Sequence, residues 1–129
     1  MRVIGSKCLF TVMLCVGALM CTSCDDMSRF NRRDAAYYAT VAAECDSLIA
    51  RGPAASIPEA RTVARQTNSL PPQIRQLSPS HVQITERSVQ LFVGSFNVIW
   101  ARNENDEHLW SLSTYREGHG KTLYSVRKP

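Results

Sequence analysis

The sequence predicts an α+β fold: one long amphipathic helix, with a short second helix, packed on a four- to five-stranded antiparallel meander sheet. Three observations predict it. Tyr38, Val41, Ala42, Cys45, Leu48 and Ile49 recur at helical spacing. After Pro79 this period gives way to short β-rich runs with alternating apolar residues. The links between those runs are short and rich in turn residues, which suits antiparallel neighbours.

Asp34 is a good N-cap for the long helix, and Arg51-Gly52-Pro53 supplies a basic last turn, a C-cap and a stop. Ser56-Ile57-Pro58-Glu59 has the spacing of a capping box, which predicts the short second helix from Pro58 to Gln66. Leu70-Pro71-Pro72 and Ser78-Pro79 then bracket Gln73–Leu77, leaving room for one helical turn between two positions that proline biases toward extended backbone. Five strands follow: His81–Thr85, Val89–Val93, Asn97–Arg102, Leu109–Tyr115 and Thr122–Arg127. Their turns are Glu86–Ser88, Gly94–Phe96, Asn103–His108 and Gly118-His119-Gly120. Val82 and Ile84, then Val89, Leu91 and Val93, then Trp110 and Leu112, then Tyr124 and Val126 define one apolar face. A one-sided sheet needs a cover, and the helix from Asp34 to Arg51 is the candidate.

The chain starts differently. Arg2 and Lys7 make a positive n-region before Cys8–Met20, 13 residues without a charge. That run is shorter than the about 20 apolar residues a bilayer span wants, and it ends at Thr22, Ser23, Asp25 and Asp26. It therefore predicts a signal peptide at 1–23, a polar tether at 24–33 and a single domain at 34–129. Leu19-Met20-Cys21-Thr22-Ser23-Cys24 resembles the lipobox of bacterial lipoproteins, with Cys21 standing where that pattern usually has Leu. The resemblance implies acylation of Cys24 by chains such as palmitate, each buried methylene contributing about 0.8 kcal/mol of anchoring to the bilayer. It thus implies an exported protein held on the extracytoplasmic side of a membrane. Asp25 resembles an inner-membrane retention signal that does not hold across all bacteria, so the choice between inner and outer membrane stays open. Ordinary cleavage would instead release a soluble periplasmic or secreted protein.

Four of the five cysteines lie in or at the end of the leader, and only Cys45 lies in the body. Lipidation of Cys24 leaves Cys45 without a partner, whereas ordinary cleavage permits a Cys24–Cys45 disulfide. On the apolar stripe of the helix, Cys45 reads as a small buried hydrophobe rather than a nucleophile.

Without Arg2 and Lys7 the chain has 13 basic and 11 acidic residues, a net charge of +2. The arginines are scattered, with no cationic stripe of the kind that neutralises phosphates, so nucleic acid is not an expected partner. Glu117-Gly118-His119-Gly120-Lys121-Thr122 ends like a phosphate-binding loop, but the first glycine of that motif would fall at Tyr115 and a strand follows. Asn103, Asn105 and Glu107 alternate like calcium ligands, yet His108 and Thr114 stand where Gly and Glu are required. His81, His108 and His119 lack metal-ligand spacing. No catalytic residue, metal or cofactor is assigned.

The remaining signal is aromatic. Phe96, Trp100, Trp110 and Tyr115 are the candidate contact surface, with core packing as the competing reading. The functional expectation is a membrane-tethered lipoprotein of the cell envelope with a non-enzymatic binding domain, whose partners are the bilayer and another envelope component. The alternatives are a ligand-binding, metal-binding or enzymatic module using His81, His108 or His119 with Glu117, and an inhibitor or immunity-type protein.

Overall fold

Asp34 opens the first helix, α1 (Ala35–Arg51), by accepting a hydrogen bond from the Tyr37 N–H at 2.9 Å. The computed structural model describes residues 30–58, 68–103, 105 and 107–128, and its main unit runs from Asp34 to the C-terminus. The signal peptide, Cys24 and the tether up to residue 29 lie outside the described residues. Gly52 closes α1 by donating to the Ile49 carbonyl at 3.0 Å. The helix buries Tyr38, Val41, Ala42, Cys45 and Leu48, the stripe its 3.6-residue period dictates.

A 3₁₀ turn at Pro53–Ala55 leads into Ser56 and Ile57. Ile57 exchanges two 2.8 Å backbone hydrogen bonds with Val82, and the Ser56 hydroxyl accepts from the Ile84 N–H at 3.0 Å. Ser56 therefore serves the edge of the sheet. Of the second helix expected from Pro58 to Gln66, residues 59–66 lie outside the described residues.

A short helix, α2 (Pro72–Gln76), stands between the two proline-bearing segments. It has no side-chain cap of its own, and Glu44 of α1 supplies one, accepting from the N–H groups of Gln73 and Ile74 at 3.2 and 2.9 Å. Arg51 donates to the Ser69 carbonyl at 2.9 Å, so α1 holds this segment at two points. Ser78 departs from the extended backbone expected before Pro79. Its φ is 51° because the N–H groups of Leu77 and Ser78 turn back onto Ile74 and Arg75 to close the helix.

The sheet is an antiparallel meander in the order β1 (His81–Ile84), β2 (Ser88–Val93), β3 (Phe96–Arg102), β4 (Leu109–Arg116) and β5 (His119–Arg127). Thr85 shapes the first turn, its Oγ1 accepting from the Arg87 N–H at 3.2 Å. Gly94 and Gly118 take φ values of 58° and 78° in two-residue hairpin turns, a region costly for residues with a Cβ. The last turn is tighter than its two glycines suggest. His119 already pairs with Arg116, and Gly120 lies in the strand opposite Tyr115. Between Leu112 and Ser113 the register shifts, leaving Leu123 unpaired in a bulge.

The covered face carries Val82, Ile84, Val89, Leu91, Val98, Trp100, Trp110 and Leu112, all buried, with Tyr124 and Val126 half-buried beside them. Helix α1 packs over it against β2 and β5. Burial of side chains this size contributes roughly 1.5–3 kcal/mol each. One polar group pins the layers: the Trp100 indole N–H donates to Asp46 Oδ1 of α1 at 3.0 Å. Lys128 Nζ approaches the same oxygen at 3.4 Å and lies 4.4 Å from the centre of the Trp110 ring. The rings of Trp110 and Tyr124 stack on Trp100 at 5.6 and 6.4 Å.

Asp46→Ala leaves the buried indole N–H without its acceptor. It is expected to cost about 1–3 kcal/mol, read as a lower urea midpoint at unchanged slope. Lys128→Ala removes only a half-exposed ion pair and should cost under about 1 kcal/mol. Equal effects of the two substitutions would show that the indole does not depend on Asp46.

Candidate functional site

Strand alternation sends every second residue to the face opposite α1, and the register arranges those residues in cross-strand rows. The first row is His81, Phe92, Asn97, Tyr115 and Gly120. The second is Gln83, Gln90, Ile99, Ser113 and Thr122, and the third is Ser88, Ala101, Ser111 and Ser125. None of these rows contains Asp, Glu, Lys or Arg, in a chain of which 20% of the residues are charged. A sheet face that only meets solvent ordinarily carries such charges. Here hydroxyls and amides take their place, beside three aromatic or imidazole rings.

The rings are held firmly. His81 stacks on Phe92 with centroids 3.6 Å apart, and its Nδ1 lies 3.1 Å from the Ser80 hydroxyl. Tyr115 leans over Gly120, where a Cβ would stand 3.3 Å from its ring, and its hydroxyl accepts from the Gly118 N–H at 3.4 Å. Tyr115 is 44% exposed, the one large hydrophobic side chain so exposed among the described residues. Glycine opposite an aromatic ring is thus a local fit: the ring needs the space a side chain would fill.

Two hollows mark this face. One, of about 260 Å³, is lined by Ile99, Ala101, Ser111, Ser113, Tyr115 and Thr122, among others. The second, of about 340 Å³, lies where β2 begins and β3 ends, and includes Arg87, Ser88, Ala101, Arg102 and Glu107. Ala101 lines both.

Of the four aromatics expected as a contact surface, Trp100 and Trp110 are 1% and 9% exposed, beneath α1. Core packing claims them because theirs is the face the helix covers. Phe96 alternates onto the same side as Trp100, half-buried, with the Arg116 guanidinium 5.6 Å from its ring centre. Tyr115 alone lies on the open face. The hollow it borders carries no strong sequence signal. Its Ser, Thr and Ala residues belong to no motif, and only a correct register identifies them as neighbours.

The three histidines do not converge. His81 and His119 sit at one end of the sheet on its two outer strands, roughly 19 Å apart at standard strand spacing, and His108 lies at the other end of β4. Among the described residues no three His, Cys, Asp or Glu side chains gather as a metal site. In the Asn103–His108 connection the Asn103 side-chain oxygen accepts from the Asn105 N–H at 3.0 Å, a local turn that accounts for the alternating polar residues. Cys45 is a free thiol with no exposed surface. Burial pushes its pKa far up, and the neighbouring Asp46 and Glu44 carboxylates push it further, so it forms no thiolate for attack. No known protein family, curated protein or solved structure matches the chain.

The raised Cys45 pKa has a sign. Below the ordinary thiol range both states are protonated and the group contributes nothing to the pH dependence. Above it the unfolded chain releases the proton while the folded chain keeps it, so stability falls with rising pH, by up to about 1.4 kcal/mol per pH unit. Denaturant unfolding from about pH 8 to about pH 10 should therefore weaken the native protein more steeply than Cys45→Ala. Parallel losses in the two proteins would contradict a buried thiol.

Proposed function

We propose that the chain is an exported lipoprotein of the bacterial cell envelope, anchored through acylated Cys24, whose α+β domain is a non-enzymatic binding domain. The leader supports export: a basic n-region, a 13-residue apolar run and the Thr22-Ser23-Cys24 exit. No helix of the described residues is long and apolar enough to cross a membrane, which is consistent with attachment by lipid. The observation that carries the binding role is the open sheet face: three cross-strand rows without a charge, bordered by the exposed ring of Tyr115. Binding through pre-placed hydroxyls, amides and a fixed ring requires no catalytic group.

Cells expressing the full chain and fed labelled palmitate should incorporate label into the native protein and none into Cys24→Ser, which should appear in the soluble fraction. Label persisting in Cys24→Ser, or its absence from the native protein, would remove the anchoring role of Cys24. A free Cys45 thiol in the native protein, titrated after denaturation without reductant, accompanies lipidation; a Cys24–Cys45 disulfide is incompatible with it.

A further inference from the structure

Ile99 stands at the middle of the open face, on the central strand β3 and in the second of the three rows. Gln90 and Ser113 flank it across the strands, and Asn97 and Ala101 lie on either side of it along β3. A half-buried isoleucine among small or polar uncharged neighbours has the layout of a modest interface, an apolar centre inside a polar rim. Taking the open face as the binding surface proposed above, we infer that its partner is a second copy of this chain: the two sheets pack face to face about a two-fold axis that brings the two Ile99 side chains together.

Three features select a copy of the same chain. In a two-fold contact each patch meets itself, so a charge near the axis faces its own like charge at a cost. The three rows, of five, five and four residues, hold no Asp, Glu, Lys or Arg. Charge returns one row further out, where Arg127 pairs with Leu109. The polar groups are also self-complementary. The hydroxyls and carboxamides of Ser, Thr, Tyr, Asn and Gln both donate and accept, whereas a carboxylate only accepts and an ammonium or guanidinium only donates. A face built from the first kind finds partners on its own copy. The third feature is strength. These rows hold fewer residues than the roughly 20–30 a side of a standard interface, so the pair is weak in free solution. Copies confined to one bilayer by the proposed lipid anchor meet at a high effective concentration, as do modules on a short flexible linker, for which it reaches roughly millimolar, and a weak contact then suffices.

Full chains carrying donor or acceptor fluorophores at the C-terminus are reconstituted in vesicles of phosphatidylethanolamine and phosphatidylglycerol. Native protein should show energy transfer above that of randomly placed copies at the same density, and an excess of unlabelled native chain should abolish the surplus. Ile99→Lys alone and Ile99→Asp alone should each lose it, because like charges then face each other at the axis. Mixing an Ile99→Lys donor with an Ile99→Asp acceptor should restore it. Ile99→Ser, which matches the chemistry of its row and adds no charge, should weaken association about tenfold while circular dichroism shows a retained fold. No surplus in the native protein, no loss in Ile99→Ser, or no recovery in the mixed pair of folded charged variants overturns the inference. A photo-crosslinking residue at Gln90 in living cells separates this from the broader reading. A crosslink between two copies supports both. Capture of a different envelope protein, glycan or lipid, without a surplus in vesicles, removes the second copy and leaves a binding face, and capture of nothing removes both.

Discussion

The indole N–H of Trp100 must find an acceptor once helix α1 covers it, and the Asp46 carboxylate at 3.0 Å is that acceptor. Much else depends on this contact. It sets which turn of α1 lies over β3, and so where Cys45 and Leu48 enter the core. The rings of Trp110 and Tyr124 stack beside Trp100, and Lys128, beyond the last strand, lies against the same carboxylate and the Trp110 ring. A group with one donor and an apolar body is well suited to such a junction. Its area favours burial, and its single hydrogen bond makes one placement of the helix better than its neighbours.

With one face committed to α1, the sheet's edges and its second face are treated in different ways. The β1 edge is covered where Ser56 and Ile57 bond to Ile84 and Val82. On the β5 edge, the bulge at Leu123 and the charges of Lys121 and Arg127 discourage a further strand from pairing. The three rows of the open face hold no charge, and among the described residues α1 lies on the other side of the sheet. Unlike the edges, it carries no feature that repels association, and its hydroxyls, amides and rings are fixed by the rigid strands beneath them. This contrast is why the binding role is placed on the face rather than at an edge.

Glu44 and Asp46, two residues apart on α1, divide the work of the helix. Asp46 serves the sheet, while Glu44 caps the otherwise capless α2 through Gln73 and Ile74. Together with Arg51 on the Ser69 carbonyl, they turn the solvent side and flank of α1 into a bracket for the segment leading to β1. Polar groups near the middle of a helix thus replace the local caps that the proline-rich segment lacks.

Much of this was legible in the sequence wherever the signal is periodic or local. The stripe Tyr38, Val41, Ala42, Cys45 and Leu48 fixes one face of a helix, and Asp34 and Gly52 mark its ends through short-range hydrogen bonds. Alternation in the five strands and the short turns between them determined the antiparallel meander and its apolar face. Partners distant in the chain are not encoded in any window. The Ser56 hydroxyl meets the N–H of Ile84, 28 residues on. Trp110 alternates with Leu112 onto the apolar face, whereas Trp100 is equally aromatic inside or outside, and the placement of α1 buries it. Likewise Ile99, Ser113 and Thr122 share no motif, because they lie on three different strands. The tertiary structure alone decided that they meet, since their spacing is set by strand register and the Leu123 bulge rather than by sequence distance.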